Sequence, residues 1–193
     1  MRMEKTINGP LRVFAGGNLI GVKGVALASQ ALARAKAGGV KFRYRLGGGS
    51  PETRHLRNLA VRLGLENDIL FGEPLSGEAY QNELGATHIF LLPSLRESAG
   101  LTMMEAMMAG CVPMVANCGG PARIVTDDCG YRVAVSSRSK FVEDLTNTIV
   151  AIDRNRDIIL TKGAAASERI AAGFTEDNYR KAVNSVYSSV TNR

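Results

Sequence analysis

The chain has few of the residues that build metal centres or disulfide frameworks. Its 193 residues include only three cysteines and two histidines. Cys111, Cys118 and Cys129 form no C-x-x-C pair and leave an odd thiol under any disulfide scheme, which favours a reducing compartment. His55 and His88 stand apart from other residues at metal-ligand spacing. We therefore expect no metal site.

Long apolar runs and several catalytic motifs are also missing. No run approaches the ~20 apolar residues of a membrane-spanning helix, and the first ten residues lack the apolar stretch of a secretory signal. We expect a cytoplasmic protein. The absence of a G-x-S-x-G elbow, a Ser-His-Asp order and an H-E-x-x-H helix argues against hydrolases and metalloproteases. Without G-x-G-x-x-G or G-x-x-x-x-G-K-[ST], nicotinamide enzymes and P-loop kinases are disfavoured.

Composition and size predict one globular domain. Hydrophobic residues make up 45% of the chain and charged residues 22%, as in soluble proteins with a single core. We assign residues 1–10 to a disordered or linker segment and residues 11–193 to the domain.

Strand and helix patterns alternate regularly along the chain. Predicted strands cover Leu11–Ala15, Lys41–Leu46, Ile69–Phe71, Ile89–Leu92, Pro113–Ala116 and Tyr131–Val135. Predicted helices cover Gly24–Ala37, Glu52–Leu63, Gly77–Leu84, Leu101–Ala109, a short turn at Ala122–Val125, and then Lys140–Asp153, Arg156–Ala172 and Asp177–Val190. Such alternation predicts an α/β fold with a doubly wound, parallel, six-stranded sheet followed by C-terminal helices.

Glycine-rich loops follow three of these strands. They begin at Gly16, Gly47 and Gly119, and Lys23 adds a cation after the first. Because the carboxyl ends of parallel strands share one edge, we expect these loops to form a ligand edge where backbone approaches an anion. Each loop by itself is equally explained as a tight turn.

The stretch around residues 91–107 carries two carboxylates, Glu97 and Glu105, on either side of Gly100. The helix after Gly100 is apolar nearly all round, which predicts that Glu105 is buried and accepts from a ligand diol such as ribose. Free amide groups at Gly100 suit a phosphate. The alternative is that Glu105 pairs with a distant cation and Glu97 is a solvated loop residue.

Residues 34–62 hold eight basic residues and one acidic residue. This basic block is explained by a solvated surface, and an anionic partner is the alternative. It lacks an RNA-recognition signature, so we expect no nucleic-acid partner.

Taken together, the motifs resemble the C-terminal, donor-binding half of the group 1 retaining glycosyltransferases with GT-B architecture. The resemblance spans nearly the whole chain. It rests on Gly17 through Gly24, Leu46–Ser50, Leu63 through Gly72, Leu92-Pro93-Ser94, Glu97 through Met107, Gly110 through Pro113, Gly119-Gly120-Pro121, Gly130-Tyr131 and Phe174-Thr175-Glu176.

The resemblance implies a Rossmann-like half of GT-B that transfers a sugar, with retention and without a metal or other cofactor, from a UDP-, GDP- or ADP-linked donor. Polysaccharide or glycolipid biosynthesis would be the setting. It assigns catalytic roles to Lys23 and Glu97. The donor-binding residues that it implies are Gly17, Asn18, Lys23, Gly48, Glu97, Gly100, Leu101, Thr102 and Glu105. Base selection is expected to rest on backbone near residues 71–74.

Departures from the family pattern leave other functions open. Asn18 stands where the family has an arginine, Arg123 where an acidic residue is common, and Ala99 where an aromatic residue is usual. The family's N-terminal acceptor domain has no counterpart, so this half is expected to be inactive alone and to need that domain as its partner. Alternatives are a non-catalytic nucleotide-binding or protein-interaction module, and a sugar-nucleotide epimerase. Docking of the basic block at the inner membrane face is a further hypothesis.

Overall fold

The structure is a computed structural model that describes residues 5–191. The strands are β1 Leu11–Gly16, β2 Phe42–Gly47, β3 Ile69–Gly72, β4 Ile89–Leu92, β5 Val112–Ala116 and β6 Tyr131–Val133. The helices are α1 Val25–Ala37, α2 Thr53–Arg62, α3 Gly77–Ala86, α4 Leu101–Met108, α5 Pro121–Ile124, α6 Arg138–Arg154, α7 Asp157–Gly173 and α8 Glu176–Thr191, with a short 3₁₀ helix at Gly21–Lys23.

The six strands form one sheet in the order β3-β2-β1-β4-β5-β6, and every neighbouring pair is parallel. The predicted doubly wound α/β fold is thereby confirmed. The chain leaves β3 at one edge and returns beside β1, so the strand order reverses between β1 and β4. In open parallel sheets such a switch point opens a crevice at the carboxyl ends of the strands.

The core lies on both faces of the sheet because alternate strand residues point to opposite sides. Leu11, Val13 and Ala15 of β1 belong to the cluster beneath α1 and α6, whereas Phe14 belongs to the cluster beneath α4 and α7. Strand β6 ends at Val133, earlier than predicted, because its partner β5 ends at Ala116 in the same register.

The segment before β1, which the sequence assigns to disorder or a linker, contacts the domain from Lys5 onward. The Lys5 ammonium donates to the carbonyl oxygens of Leu84, Gly85 and Thr87 at 2.8, 3.0 and 2.6 Å. The Thr6 carbonyl accepts from His88 Nε2 at 2.9 Å. These contacts join residues 5 and 6 to the start of β4, while residues 1–4 lie outside the described range.

His88 makes folding stability depend on pH. Its Nδ1 accepts from the Arg12 amide at 3.1 Å, so Nε2 carries the proton donated to Thr6. Burial lowers the pKa of His88, and nearby Arg156 and Lys5 lower it further, against the raising effect of the Thr6 bond. Because the neutral ring is favoured in the folded state, stability is full above about pH 6.5 and falls as the unfolded chain gains a proton below it.

We expect the free energy of unfolding to fall by up to about 1.4 kcal/mol per pH unit below pH 6.5 because of this histidine. Urea denaturation at pH 7.5, 6.0 and 5.0 measures it. His88→Asn should flatten the dependence, and the exposed His55→Asn should leave it as in the wild type. Equal slopes for all three proteins would contradict the assignment.

Tyr44 is a core tyrosine whose hydroxyl has no hydrogen-bond partner in the described part of the chain. The side chain is 1% exposed, and burial raises its pKa, so the phenol stays protonated. An unpaired buried hydroxyl costs about 1–3 kcal/mol. We expect Tyr44→Phe to leave the free energy of unfolding unchanged or to raise it by about 1 kcal/mol in urea denaturation. A loss of more than about 1 kcal/mol would contradict an unpaired hydroxyl, and it is the result that a hydroxyl bonded to a buried water would give.

Candidate functional site

A cavity of about 510 Å³ opens at the carboxyl edge of the sheet, at the switch point beside β1. Its floor is formed by Phe14 and the glycines that end β1 and β2, and its walls come from the loop after β3, from α3 and from α4. The lining residues are Phe14, Gly16, Gly17, Asn18, Gly47, Gly48, Gly49, Glu73, Pro74, Leu75, Tyr80, Thr102 and Glu105. Such a volume is that of a small-molecule site.

Two of the glycines bring the loops after β1 and β2 into backbone contact. The Gly17 amide donates to the Gly47 carbonyl at 3.1 Å, and Gly17 has a φ of 106°, a region that L-residues rarely adopt. A Cβ atom placed on Gly48 would lie 2.0 Å from the Gly17 carbonyl oxygen. The close contact therefore requires glycine at both positions, and it leaves the cavity floor free of side chains there.

Glu105 lies at the cavity wall, but it is exposed and not buried as the sequence predicts. Helix α4 turns only Met103, Ala106 and Met107 fully into the core, so its apolar composition does not enclose the whole helix. The Tyr80 hydroxyl of α3 donates to Glu105 Oε2 at 2.9 Å. Burial, and then the hydrogen bond and charge of Glu105, raise the pKa of Tyr80. One carboxylate oxygen is thus held in place, and the second can accept from a ligand.

The amino end of α4 is uncapped by any described side chain. Gly100 precedes the helix with a φ of 73°, which orients the chain so that α4 starts beside the cavity. Thr102 lines the cavity in the first turn, whereas Leu101 is 68% exposed and lines a neighbouring cavity with residues of α7. Glu105 lines both cavities. The first amide groups and the helix dipole make this end suitable for an anion.

Lys23 and Glu97 form an ion pair. The loop after β4 lies against the 3₁₀ helix, where the Leu95 amide donates to the Val22 carbonyl at 2.9 Å, and this contact brings the two side chains together. The Lys23 and Glu97 side chains are 28% and 15% exposed. Neither residue lines the cavity. Glu97 lies three residues before Gly100, so the pair involves the loop that leads into α4.

The structure brings only part of the predicted site together at the cavity: Gly17, Asn18, Gly48, Thr102 and Glu105 line it. Lys23 and Glu97 pair with each other, Gly100 occupies the N-cap position of α4 without a side-chain cap, and Leu101 lines the neighbouring cavity. The sequence gives no signal for Tyr80, because a single tyrosine on a helix forms no motif. Glu73 and Pro74 line the cavity within the segment expected to select the base.

The basic block does not form one surface. Arg34 and Lys36 occupy the last turn of α1, and Arg62 that of α2, where the helix dipole favours cations. Arg43 and Arg45 project from one face of β2. The buried residues of that strand alternate with them and pack on the other face, in the cluster beneath α1 and α6. Much of the block is therefore accounted for by local structure.

Within residues 5–191, no group of three His, Cys, Asp or Glu side chains is placed to hold a metal ion. None of the helices in that range combines the length and the apolar composition of a membrane span.

A family model described as "Glycosyl transferases group 1" matches residues 2–157, which is most of the chain. The chain belongs to this glycosyltransferase family. The resemblance inferred from the motifs is therefore confirmed, together with the GT-B type of fold.

Three relatives illustrate the similarity. The putative colanic acid biosynthesis glycosyltransferase WcaL of Salmonella typhimurium is 26% identical over 98% of this chain and 48% of its own length. Sucrose-phosphate synthase from Thermosynechococcus elongatus superposes with a TM-score of 0.81 at 21% identity, over 97% of this chain and 47% of that one. Anabaena HepE, solved with UDP and glucose, gives 0.77 at 22% identity over 95% and 49%. This glycosyltransferase chain thus spans about half the length of these relatives.

Proposed function

We propose that this chain is the donor-binding half of a retaining glycosyltransferase that takes a sugar from a nucleotide-sugar. The observation that carries the proposal is the cavity of about 510 Å³ at the strand switch point, with glycines on its floor and Glu105 beside the start of α4 on its wall. Anabaena HepE, which has the same fold, was solved with UDP and glucose.

Glu105 is proposed to hold the ribose of the donor. The Tyr80 hydroxyl donates a hydrogen bond to Glu105 Oε2 at 2.9 Å and so restricts the carboxylate. Oε1 would then accept from a ribose hydroxyl. The diphosphate would then lie over the first turn of α4, where Thr102 and the free amides face the cavity.

Lys23 and Glu97 are proposed to act at the diphosphate and the sugar. Their ion pair would open when the donor binds, because the ammonium gains phosphate oxygens and the carboxylate gains sugar hydroxyls. Departure of the nucleoside diphosphate builds negative charge on phosphate, which Lys23 and the α4 amides would stabilise without a metal ion.

The acceptor site is proposed to come from a further domain. The chain covers about half of relatives such as WcaL. The exposure of helix α8 supports a contact with a further domain. None of its described residues is fully buried, and Tyr179 and Val186 are 72% and 64% exposed. We expect little sugar transfer by this chain alone.

A second candidate function is nucleotide binding without transfer. Asn18 lines the cavity where the family pattern has an arginine, so the site lacks one cation for the diphosphate. Neither Arg96 nor Arg123 is among the lining residues to replace it.

Docking of the basic block to an anionic membrane stays a prediction, which salt-sensitive binding to anionic vesicles would test.

Calorimetric titration with UDP, GDP, ADP and their sugar conjugates, each with EDTA present, tests the proposal. Saturable binding of one base that EDTA does not change is the expected result. Absence of binding to every nucleotide by the folded chain would count against a donor site. Turnover after addition of an acceptor domain would separate transfer from the non-catalytic alternative, and an epimerised product would favour an epimerase.

A further inference from the structure

One face of the sheet is uncovered at the amino ends of β1, β2 and β3, away from the donor cavity. On this face β1 presents Arg12, β2 presents Arg43 and Arg45, and β3 presents Leu70, which is 56% exposed. Arg12 and Gly16 lie four residues apart on β1, so this region starts about 13 Å from the cavity edge. The uncovered face and the cavity are thus separate sites on the same strands.

Two arginines stand directly opposite each other there. Arg12 and Arg43 are register partners in the parallel β1–β2 ladder, with strands about 4.8 Å apart. Like charges in directly opposed positions of a sheet repel each other. No described carboxylate forms a salt bridge with either guanidinium, and Arg43 donates only to the Asn67 carbonyl, at 2.5 Å.

Two of the three acidic residues nearby are paired with cations, and the third is exposed. Asp68 Oδ2 accepts from Lys36 at 2.7 Å, and Glu83 Oε2 lies 3.7 Å from Arg45 Nε. Arg45 Nε is itself buried without a hydrogen bond among the described residues. Glu66, in the loop before β3, is exposed.

A groove of about 520 Å³ lies beside these side chains. Its charged lining residues are Arg12, Arg43 and Arg45 from the strands, Glu66 and Asp68 from the loop before β3, and Glu83 from α3. The groove therefore offers space for a small molecule beside two guanidinium groups, neither of which is paired with a described carboxylate.

We propose that this groove, defined by Arg12 and Arg43, is a second binding site that takes a small phosphate-bearing anion. A phosphate group presents several oxygens that two guanidinium forks can contact together, and it removes the repulsion between them. The proposal goes beyond donor binding and stands independently of it, because the arginine groove shares no lining residue with the donor cavity.

The probe is inorganic pyrophosphate, added to ¹⁵N-labelled chain and followed by amide chemical shifts. We expect saturable shifts at Arg43, Asn67 and Leu70, weakening at higher salt. Shifts at Gly17 and Thr102 would report the donor cavity separately. Arg12→Gln/Arg43→Gln should weaken the groove titration at least tenfold. Arg54→Gln/Arg62→Gln removes the same charge from exposed positions of α2 and should leave it unchanged.

Equal weakening by both double variants would overturn the proposal, because it would show dependence on net charge alone. Pyrophosphate shifts confined to the donor cavity would also overturn it. A third arm uses vesicles containing phosphatidylglycerol. Binding to vesicles that requires Arg12 and Arg43, with no groove shifts on pyrophosphate, would assign the arginines to a lipid surface and overturn the small-anion site.

Discussion

Glu105→Ala is expected to weaken nucleotide binding by about 10- to 100-fold, since a hydrogen bond to a charged group contributes about 1.5–3 kcal/mol. The side chain lies at the cavity wall with one oxygen held by Tyr80 at 2.9 Å, so the variant removes a preorganised acceptor. The expected loss applies equally to a nucleoside diphosphate and to its sugar conjugate, because both carry the ribose. Calorimetric titration of the preferred nucleotide measures it.

Two variants control for this result. Glu78→Ala removes the same charge from an exposed position of the neighbouring helix α3 and should bind as the wild type does. Tyr80→Phe keeps the carboxylate but releases it, so a smaller loss than for Glu105→Ala is expected. If Glu105→Ala and Glu78→Ala bind the nucleotide equally well, the ribose assignment is wrong.

Gly48→Ala is expected to lower the free energy of unfolding by about 2–3 kcal/mol, within the range for overpacked sites. The new Cβ atom would lie 2.0 Å from the Gly17 carbonyl oxygen, against about 3.5 Å for an ordinary non-bonded contact. The loops after β1 and β2 must separate to accept it. Because both loops form the cavity floor, nucleotide affinity should fall with stability. Urea denaturation and calorimetry measure the two effects.

Gly49→Ala is the matched control for the loop. Gly49 lines the same cavity, its φ is not positive, and a Cβ atom there would have nothing within 4 Å. We expect its stability to match the wild type within about 0.5 kcal/mol. If Gly48→Ala and Gly49→Ala lower the free energy of unfolding equally, the contact between Gly48 and Gly17 is not the cause of the loss.

The local pattern of the sequence determined the fold. Buried parallel strands are short apolar runs, and glycine loops or helical periodicity between them leave few alternatives. The sequence predicts strand β4 with its observed bounds, because all four of its residues are buried and form a continuous apolar run. The carboxyl-edge placement of Gly17 and Gly48 follows from the same logic, since every strand is parallel, whereas Thr102 is implied by the family resemblance.

Tertiary structure alone decided how distant side chains meet. The exposure of Glu105 depends on where α3 and α7 leave α4 uncovered, and its bond to Tyr80 joins residues 25 positions apart. Lys23 pairs with Glu97 across 74 positions because one loop packs on another. Arg12 faces Arg43 only through the register of β1 and β2. Hydrophobic periodicity indicates which face of a helix or strand is buried. The contacts above depend instead on how separate helices, strands and loops pack on one another, and no local sequence pattern indicates that.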